Sequence, residues 1–427
     1  ILSRVRICSL GIMLGHECNA KCINQRSINM RNKVVVTGMG IISSVGHTPE
    51  ECHLTLLKGK GMTRLDSRLQ GLKVSWSCPV QNFAPAQHMS KSLIWRTDPF
   101  IQYALYAACN AVEDAGLKKG YGGLKTGIVL GNSLAGISSL ETLNKRAFQE
   151  GTATIGSLYL LSTMGSMATG NIAIELGIHG PTYLTGTACS SGADAIGTAS
   201  RLIESGECDI VIAGGSEAPI TPLVVSSFTK LGALSKNTDL PHASRPFDKE
   251  RDGFVISEGA AMMVLENEKT AMERGARIYA TLSGYGSAND AHHITSPAPD
   301  GSGLSKAIYR ALEDASLSSC DIQCINAHGT STPLNDYLEG NTLSAIFPDH
   351  PWVTSTKGVT GHSLAATGAM EAIFSVLNII HDEITPVAGL KNIDEAIKIN
   401  IVTEVIKGAG IKNVLSTSLG FGRQNSA

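Results

Sequence analysis

Apolar positions along the chain fall into two kinds of stretch: short continuous runs, and longer segments at helical spacing. Lys33-Val-Val-Val-Thr-Gly-Met-Gly-Ile-Ile-Ser43 is an unbroken run into a glycine turn, which predicts a buried strand. Thr48-Pro-Glu-Glu51 opens a helix, with proline in the first turn and acids beside it. Residues 98–115 carry an amphipathic helix closed by Gly116, and residues 125–131 form the next strand. Residues 133–180 are rich in Ser, Thr, Gly and Met and show little alternation. They are predicted to be helices and loops that cover a site or a subunit contact. A strand over 181–185, a helix over 190–205 and an apolar strand over 208–215 come next, the last buried on both faces as in a parallel sheet. Beyond the polar loop 245–253 come a strand over 260–265 and a helix over 269–274.

A second series then begins. Strands are predicted over 277–285, 324–328, 352–356 and 413–419, with helices over 304–315 and 365–380. Two successive sets of alternating strands and helices predict a layered α/β protein of two similar halves, 30–276 and 277–427, with no linker between them.

Composition narrows the function. Of 427 residues, 43% are hydrophobic and 17% charged, enough for a large core. A formal net charge of −2 gives no basic footprint for nucleic acid. Ten cysteines without framework spacing suit reduced thiols in a cytoplasmic compartment. No apolar run is read as approaching the roughly 18 to 20 residues of a membrane span.

Residues 1–29 look foreign to the rest of the chain. The sequence opens on Ile1, and Met30 immediately precedes the first convincing strand. Arg4, Arg6, Lys21 and Arg26 against Glu17 suggest a transit peptide, while the apolar segment 7–15 lacks a small-residue cleavage site. The favoured reading is a disordered leader or upstream sequence before a natural start at Met30. Cys18 and Cys22, near His16, would need a third cysteine at position 25, where Gln25 stands, so no metal site is predicted. The Gly38-x-Gly40-x-x-Ser43 turn lacks the third glycine and the ribose-binding acid of a dinucleotide site. It reads as a tight strand-to-helix turn.

The candidate chemistry centres on Thr185-Gly-Thr-Ala-Cys-Ser-Ser-Gly-Ala-Asp194. A strand ends, turns sharply and starts a helix at Cys189. That places the sulfur beside unpaired N–H groups at the positive end of a helix, where a thiolate is expected to be favoured. The competing reading is a buried structural cysteine. Three further motifs sit where strands give way to loops: Asn326-Ala-His-Gly-Thr-Ser-Thr-Pro333, Ser355-Thr-Lys-Gly-Val-Thr-Gly-His-Ser363 and Gly420-Phe-Gly422. Each histidine alone reads as a satisfied polar residue. Two histidines and a lysine in strand-end loops, beside a helix-capped cysteine, read as a catalytic set.

In order, Thr-Ala-Cys-Ser-Ser, His-Gly-Thr-Ser-Thr-Pro, Lys-Gly-Val-Thr-Gly-His-Ser and Gly-Phe-Gly resemble the signatures of the β-ketoacyl-acyl-carrier-protein synthases, over residues 33–426. The resemblance implies a thiolase-like, five-layered αβαβα fold, normally dimeric. Thiolases carry a second catalytic cysteine near the end, where this chain has Phe421; chalcone-synthase-like enzymes would need Asn at His362. By the same resemblance Cys189 is the nucleophile, and His328 and His362 are neutral donors to an enolate, each ring held in one tautomer by a partner. Lys357 tunes the histidines with Glu339. Backbone N–H groups of Cys189 and Phe421 form a second oxyanion site, Thr330 and Thr332 hold the phosphopantetheine arm, and Phe421 gates the acyl pocket. No metal or nucleotide cofactor is expected; substrates ride on acyl-carrier protein. No nucleic acid or membrane partner is expected.

Some segments resemble fatty-acid elongating enzymes, notably His-Gly-Thr-Ser-Thr-Pro and Ile401-Val-Thr-Glu404. Others resemble the catalytic ketosynthase of type II polyketide synthases, among them Ser216-Glu-Ala-Pro-Ile-Thr-Pro222 and Asn335-Asp336, and the balance leans that way. In that class the subunit pairs with a cysteine-less chain-length-factor homologue; a fatty-acid enzyme would be a homodimer. A non-catalytic, chain-length-factor-like binding role is the alternative of another class, and retention of Cys189 speaks against it. Two departures stand out. Arg423 replaces the second glycine usual after Gly-Phe-Gly, which is expected to alter that loop. The sequence stops at Ala427, before the apolar closing strand usual in the family; either the sequence is incomplete or a sheet edge is left open.

Overall fold

The longest apolar run becomes the strand Val34–Ile42, buried at every position. Side chains of both parities are apolar because both faces of its sheet are covered. In the computed structural model, which describes residues 31–117 and 123–427, this strand lies in a six-stranded sheet. The order is Thr182–Thr185, Thr126–Gly131, Ile210–Glu217, Gly259–Asn267, Val34–Ile42 and Ala280–Leu282. The first three strands are mutually parallel; Gly259–Asn267 runs antiparallel to both of its neighbours. The expected all-parallel setting of Ile210–Glu217 therefore holds on one edge only. Burial on both faces, rather than strand direction, produced its continuous apolar run.

The helix Pro99–Asp114 covers one face of this sheet, joined by Ser166–Leu176. Gly40 lets the first of these helices approach closely: a Cβ there would lie 2.0 Å from the Ala107 carbonyl oxygen. Packing thus explains a glycine that mimics half of a nucleotide fingerprint. On the other face lie Ser191–Glu204 and Thr367–His381. Thr367–His381 also packs on a second, fully parallel sheet of Asn400–Ile401, Trp352–Thr354, Cys324–Asn326 and Val414–Ser416. Beyond that, Ser302–Ala315 packs against Pro333–Ile346 and a small three-stranded sheet. Five layers result, helix–sheet–helix–sheet–helix.

Two sequence expectations need correction. Residues 364–381 are long and apolar enough to cross a membrane, but this helix is the middle layer of the stack and 78% buried. Its hydrophobicity serves contacts with sheets on both sides. Near the end of the chain Gln424–Ser426 lies between Ser287–Asn289 and Ser418–Leu419, and Ala427 and Gly286 exchange both backbone hydrogen bonds; Val414–Ser416 is left as the outer strand of the four-stranded sheet, an open edge as expected. The predicted strand 277–285 shortens to Ala280–Leu282 and joins the first sheet beside Val34–Val36, so that sheet takes a strand from beyond residue 276. The leader reading of residues 1–29 and the Cys18–Cys22 pair lie outside the described residues.

Candidate active site

The strand Thr182–Thr185 delivers the chain to a strained corner. Ala188 adopts φ 50°, a left-handed conformation uncommon outside glycine, and Cys189 follows in a single 3₁₀ turn that runs into Ser191–Glu204. The corner is braced from within. Ser191 Oγ accepts from the Thr187 N–H at 2.9 Å and donates to the Ala188 carbonyl at 2.7 Å. The Gly420-Phe421-Gly422 loop closes over it. A Cβ on Gly420 would lie 2.4 Å from the Thr187 carbonyl oxygen, so only glycine permits this approach. The loop brings the Phe421 N–H to the Cys189 sulfur, where the N–H of Cys189 itself also acts.

The thiol departs from the sequence expectation. Burial pushes Cys189 up to about 11, although both N–H groups and the Lys357 charge pull the other way. Magnitudes decide the contest. A helix end contributes about 0.3–1 kcal/mol, under one pKa unit, whereas full burial shifts a group by up to about 3–5 units. Cys189 is therefore a thiol at neutral pH. Alkylation of Cys189 by iodoacetamide, followed by intact mass, is expected to accelerate about tenfold per pH unit from pH 7 to 10. A plateau reached near pH 8 would show a stabilised thiolate instead.

Cys324–Asn326 leads into the loop bearing His328, and Trp352–Thr354 into the one bearing Lys357 and His362. The imidazoles stand edge to face, centroids 5.4 Å apart. Burial, and then the Lys357 charge, hold both well below the usual histidine range, so both are neutral. Thr367 Oγ1 lies 3.0 Å from Nδ1 of His362 and accepts from the Ser363 N–H. With that hydroxyl donating to Nδ1, the ring proton sits on Nε2. His328 differs from expectation: its buried Nδ1 has no hydrogen-bond partner among the described residues. It is the backbone of His328 that is held, its N–H donating to Glu339 Oε1 at 2.8 Å, while Gly329 N–H donates to Oε2 at 2.8 Å.

Glu339 therefore fixes the histidine loop and is not the hydrogen-bonded partner of Lys357. That partner is Glu371, 2.6 Å from Nζ, both side chains fully buried. Sequence reasoning missed Glu371 and Thr367. The available signal was a lone acid in the apolar helix 367–381, since an acid on a buried face requires a cation or a proton.

Cys189, His328, His362, Thr330, Thr332, Phe421 and Arg423 line one cavity of about 390 Å³. The hydroxyls of Thr330 and Thr332 are 2.9 Å apart. Phe421 is partly exposed and lies beside Phe228. Arg423 takes φ 59°, the conformation glycine would supply, and the Phe421 N–H reaches the sulfur.

Residues 31–271 match the family described as "Beta-ketoacyl synthase, N-terminal domain", and residues 279–391 its C-terminal domain. The chain belongs to the β-ketoacyl synthase family. It is 38% identical over 407 residues to 3-oxoacyl-[acyl-carrier-protein] synthase 2 of Staphylococcus aureus (strain COL), a match covering 93% of this chain and 98% of the relative. Two solved structures share its thiolase-like ketosynthase fold. The ishigamide ketosynthase/chain length factor superposes with a TM-score of 0.87 at 31% identity, covering 93% of this chain and 98% of that one. A type II PKS ketosynthase in complex with its acyl-carrier protein and bound to the hexaketide gives 0.86 at 32%, with the same coverage. This β-ketoacyl synthase is thus an acyltransferase-type enzyme.

Proposed function

We propose that this β-ketoacyl synthase joins an acyl group held on Cys189 to the enolate of a malonyl thioester carried by acyl-carrier protein, as the catalytic subunit of a type II polyketide synthase. The observation that carries the reading is the single cavity shared by a thiol, two neutral imidazoles and the Phe421 N–H. Acylation exchanges one thioester for another: the Cys189 sulfur attacks, and the carrier thiol leaves with the proton. The malonyl C–C bond then breaks, and carbon dioxide departs neutral. The electron pair left behind becomes an enolate, whose oxygen accepts hydrogen bonds from Nε2–H of His328 and His362. The enolate carbon attacks the acyl-Cys carbonyl, whose oxyanion is received by the N–H groups of Cys189 and Phe421. Collapse releases the sulfur and leaves a 3-oxoacyl chain on the carrier.

Thr330 and Thr332 bind the phosphopantetheine arm, Phe421 gates the acyl pocket, Glu339 positions His328, and Lys357 adds to the burial that keeps the imidazoles neutral. Side chains and backbone carry every step. The nucleophile lies in the first half, 30–276, and both histidines in the second, 277–427, whose strand Ala280–Leu282 completes the first sheet.

A partner of the same fold is supported by the edge strand Thr182–Thr185, whose Tyr183 and Leu184 are exposed, and by exposed Ile174 beside it. The names of the structural neighbours support a chain-length-factor-like partner. The 38% identity to a 3-oxoacyl synthase favours a second reading, a fatty-acid elongating homodimer. The free buried cysteines suit a reducing, cytoplasmic setting.

The test is intact-mass labelling of the purified enzyme with an acyl-carrier thioester, then addition of the malonyl carrier. One acyl group per chain, mapped to Cys189, and a 3-oxoacyl product are expected. No adduct with a competent carrier would favour a binding subunit. Co-purification of a cysteine-less homologue from the native host supports the polyketide pathway, and a homodimer making saturated-chain precursors reverses it.

A further inference from the structure

One buried cation of the cavity takes no part in the condensation. Arg423 is only 6% exposed and lines the same space as Cys189 and His328. Its Nε lies 3.4 Å from Asp290 Oδ2, and Nη1 donates to the Thr295 carbonyl at 3.4 Å. Nη2 is buried without a hydrogen-bond partner among the described residues, and Nε makes no aligned hydrogen bond. Asp290 is already engaged: Oδ2 accepts from the Ala298 N–H at 2.9 Å, and Oδ1 from Asn425 Nδ2 at 2.8 Å. The carboxylate thus anchors one side of the guanidinium and leaves donors of the fork unsatisfied. Buried donors are normally paired, so such a group in a reaction cavity points to a ligand that completes it. The left-handed backbone at Arg423, which a glycine would adopt freely, adds to that case.

A guanidinium fork matches a carboxylate in plane and in charge. Of the two substrates in the proposed reaction, on which this inference rests, only the extender carries a free carboxylate at its reacting end. The acyl donor has none. We propose that Arg423 is a specificity-determining residue that receives the malonyl carboxylate before it is lost, selecting the extender over other thioesters on the same arm. Decarboxylation moves the negative charge away from it. The carboxylate electron pair closes to neutral carbon dioxide, while the C–C bonding pair passes to the enolate oxygen under His328 and His362. The ion pair with Arg423 is therefore made in the ground state and fades toward the transition state. Such an interaction lowers KM without raising kcat. Asp290 tempers the cation, so the carboxylate is held and then released.

This makes an unusual kinetic signature. Arg423→Gln is expected to raise KM for the malonyl carrier about 10-fold or more, with kcat unchanged or higher. The inhibition constant of an acetyl-carrier amide analogue, which has no carboxylate, should not move. Arg423→Lys, which keeps the charge but loses the fork, should give a KM between those of the wild type and Arg423→Gln. Unchanged KM in Arg423→Gln overturns the proposal. So does a parallel loss of malonyl and acetyl-analogue binding, or a fall in kcat at constant KM, since either marks a merely structural role. The wild-type enzyme separates the two levels of inference. If it takes no acyl group and releases no carbon dioxide from the malonyl carrier, the substrate reading fails. If it does both while Arg423→Gln keeps its KM, only the role of Arg423 fails.

Discussion

Replacing Cys189 with alanine is expected to abolish acyl uptake and condensation while leaving carbon dioxide release from the malonyl carrier measurable. His328→Ala is expected to do the reverse: the protein still takes an acyl group, but decarboxylation falls by about 10²–10³. The physical ground is that the two half-reactions place charge at different spots. In the proposed reaction, acyl transfer builds an oxyanion near the Cys189 and Phe421 N–H groups, and decarboxylation builds one between the imidazoles. Cys189→Ala removes the sulfur that must carry the acyl group but keeps the backbone N–H groups, whereas His328→Ala removes a donor from the enolate site alone. Intact mass reads the first half-reaction, and release of labelled carbon dioxide reads the second. A Cys189→Ala protein that still accumulates a covalent acyl group would place the nucleophile elsewhere. A His328→Ala protein with undiminished decarboxylation would remove that imidazole from the enolate site.

The sequence already carried much of this arrangement, for identifiable reasons. The switch from a short apolar run to helical spacing at Cys189 survives in the structure as a strand, a one-turn corner and a helix. His328 and Lys357 were legible because strand-end loops in α/β folds collect chemistry. The protonation state of the sulfur was not legible. A helix terminus can be read from a line of residues, but the depth at which it lies cannot, and depth dominates here. Partnerships across segments were hidden for the same reason. Glu339 and Glu371 are both buried acids, and only the packing of Thr367–His381 between two sheets decides which one meets Lys357. Arg423 was visible as a departure from a motif, yet its unpaired nitrogens appear only once Asp290, Ala298 and Asn425 are folded around it.

The buried Lys357–Glu371 pair provides the second large effect. Lys357→Met leaves Glu371 without its cation in a fully buried position, a loss of about 3–5 kcal/mol when the charge remains uncompensated. Glu371 has another way out. Burial already pushes its carboxyl from 4.5 up to about 7 with the Lys357 ammonium pulling it down, and removing the ammonium pushes it higher still. An acid whose folded pKa exceeds its unfolded value binds a proton more tightly when folded. Its stability is complete below the unfolded pKa and is lost as pH rises through the folded one. Lys357→Met is therefore expected to be only mildly destabilised at pH 6, where Glu371 takes up a proton, and most destabilised at pH 8 and above. Denaturant midpoints at the two pH values measure this directly. Lys357→Met with Glu371→Leu removes both charges and is expected to recover most of the stability without the pH dependence. Its catalysis should not recover, because neither imidazole regains the ammonium that helps hold it neutral. Equal destabilisation of the single variant at pH 6 and 8 would show that Glu371 finds another partner. Full activity in the stable double variant would show that the ion pair serves only the fold.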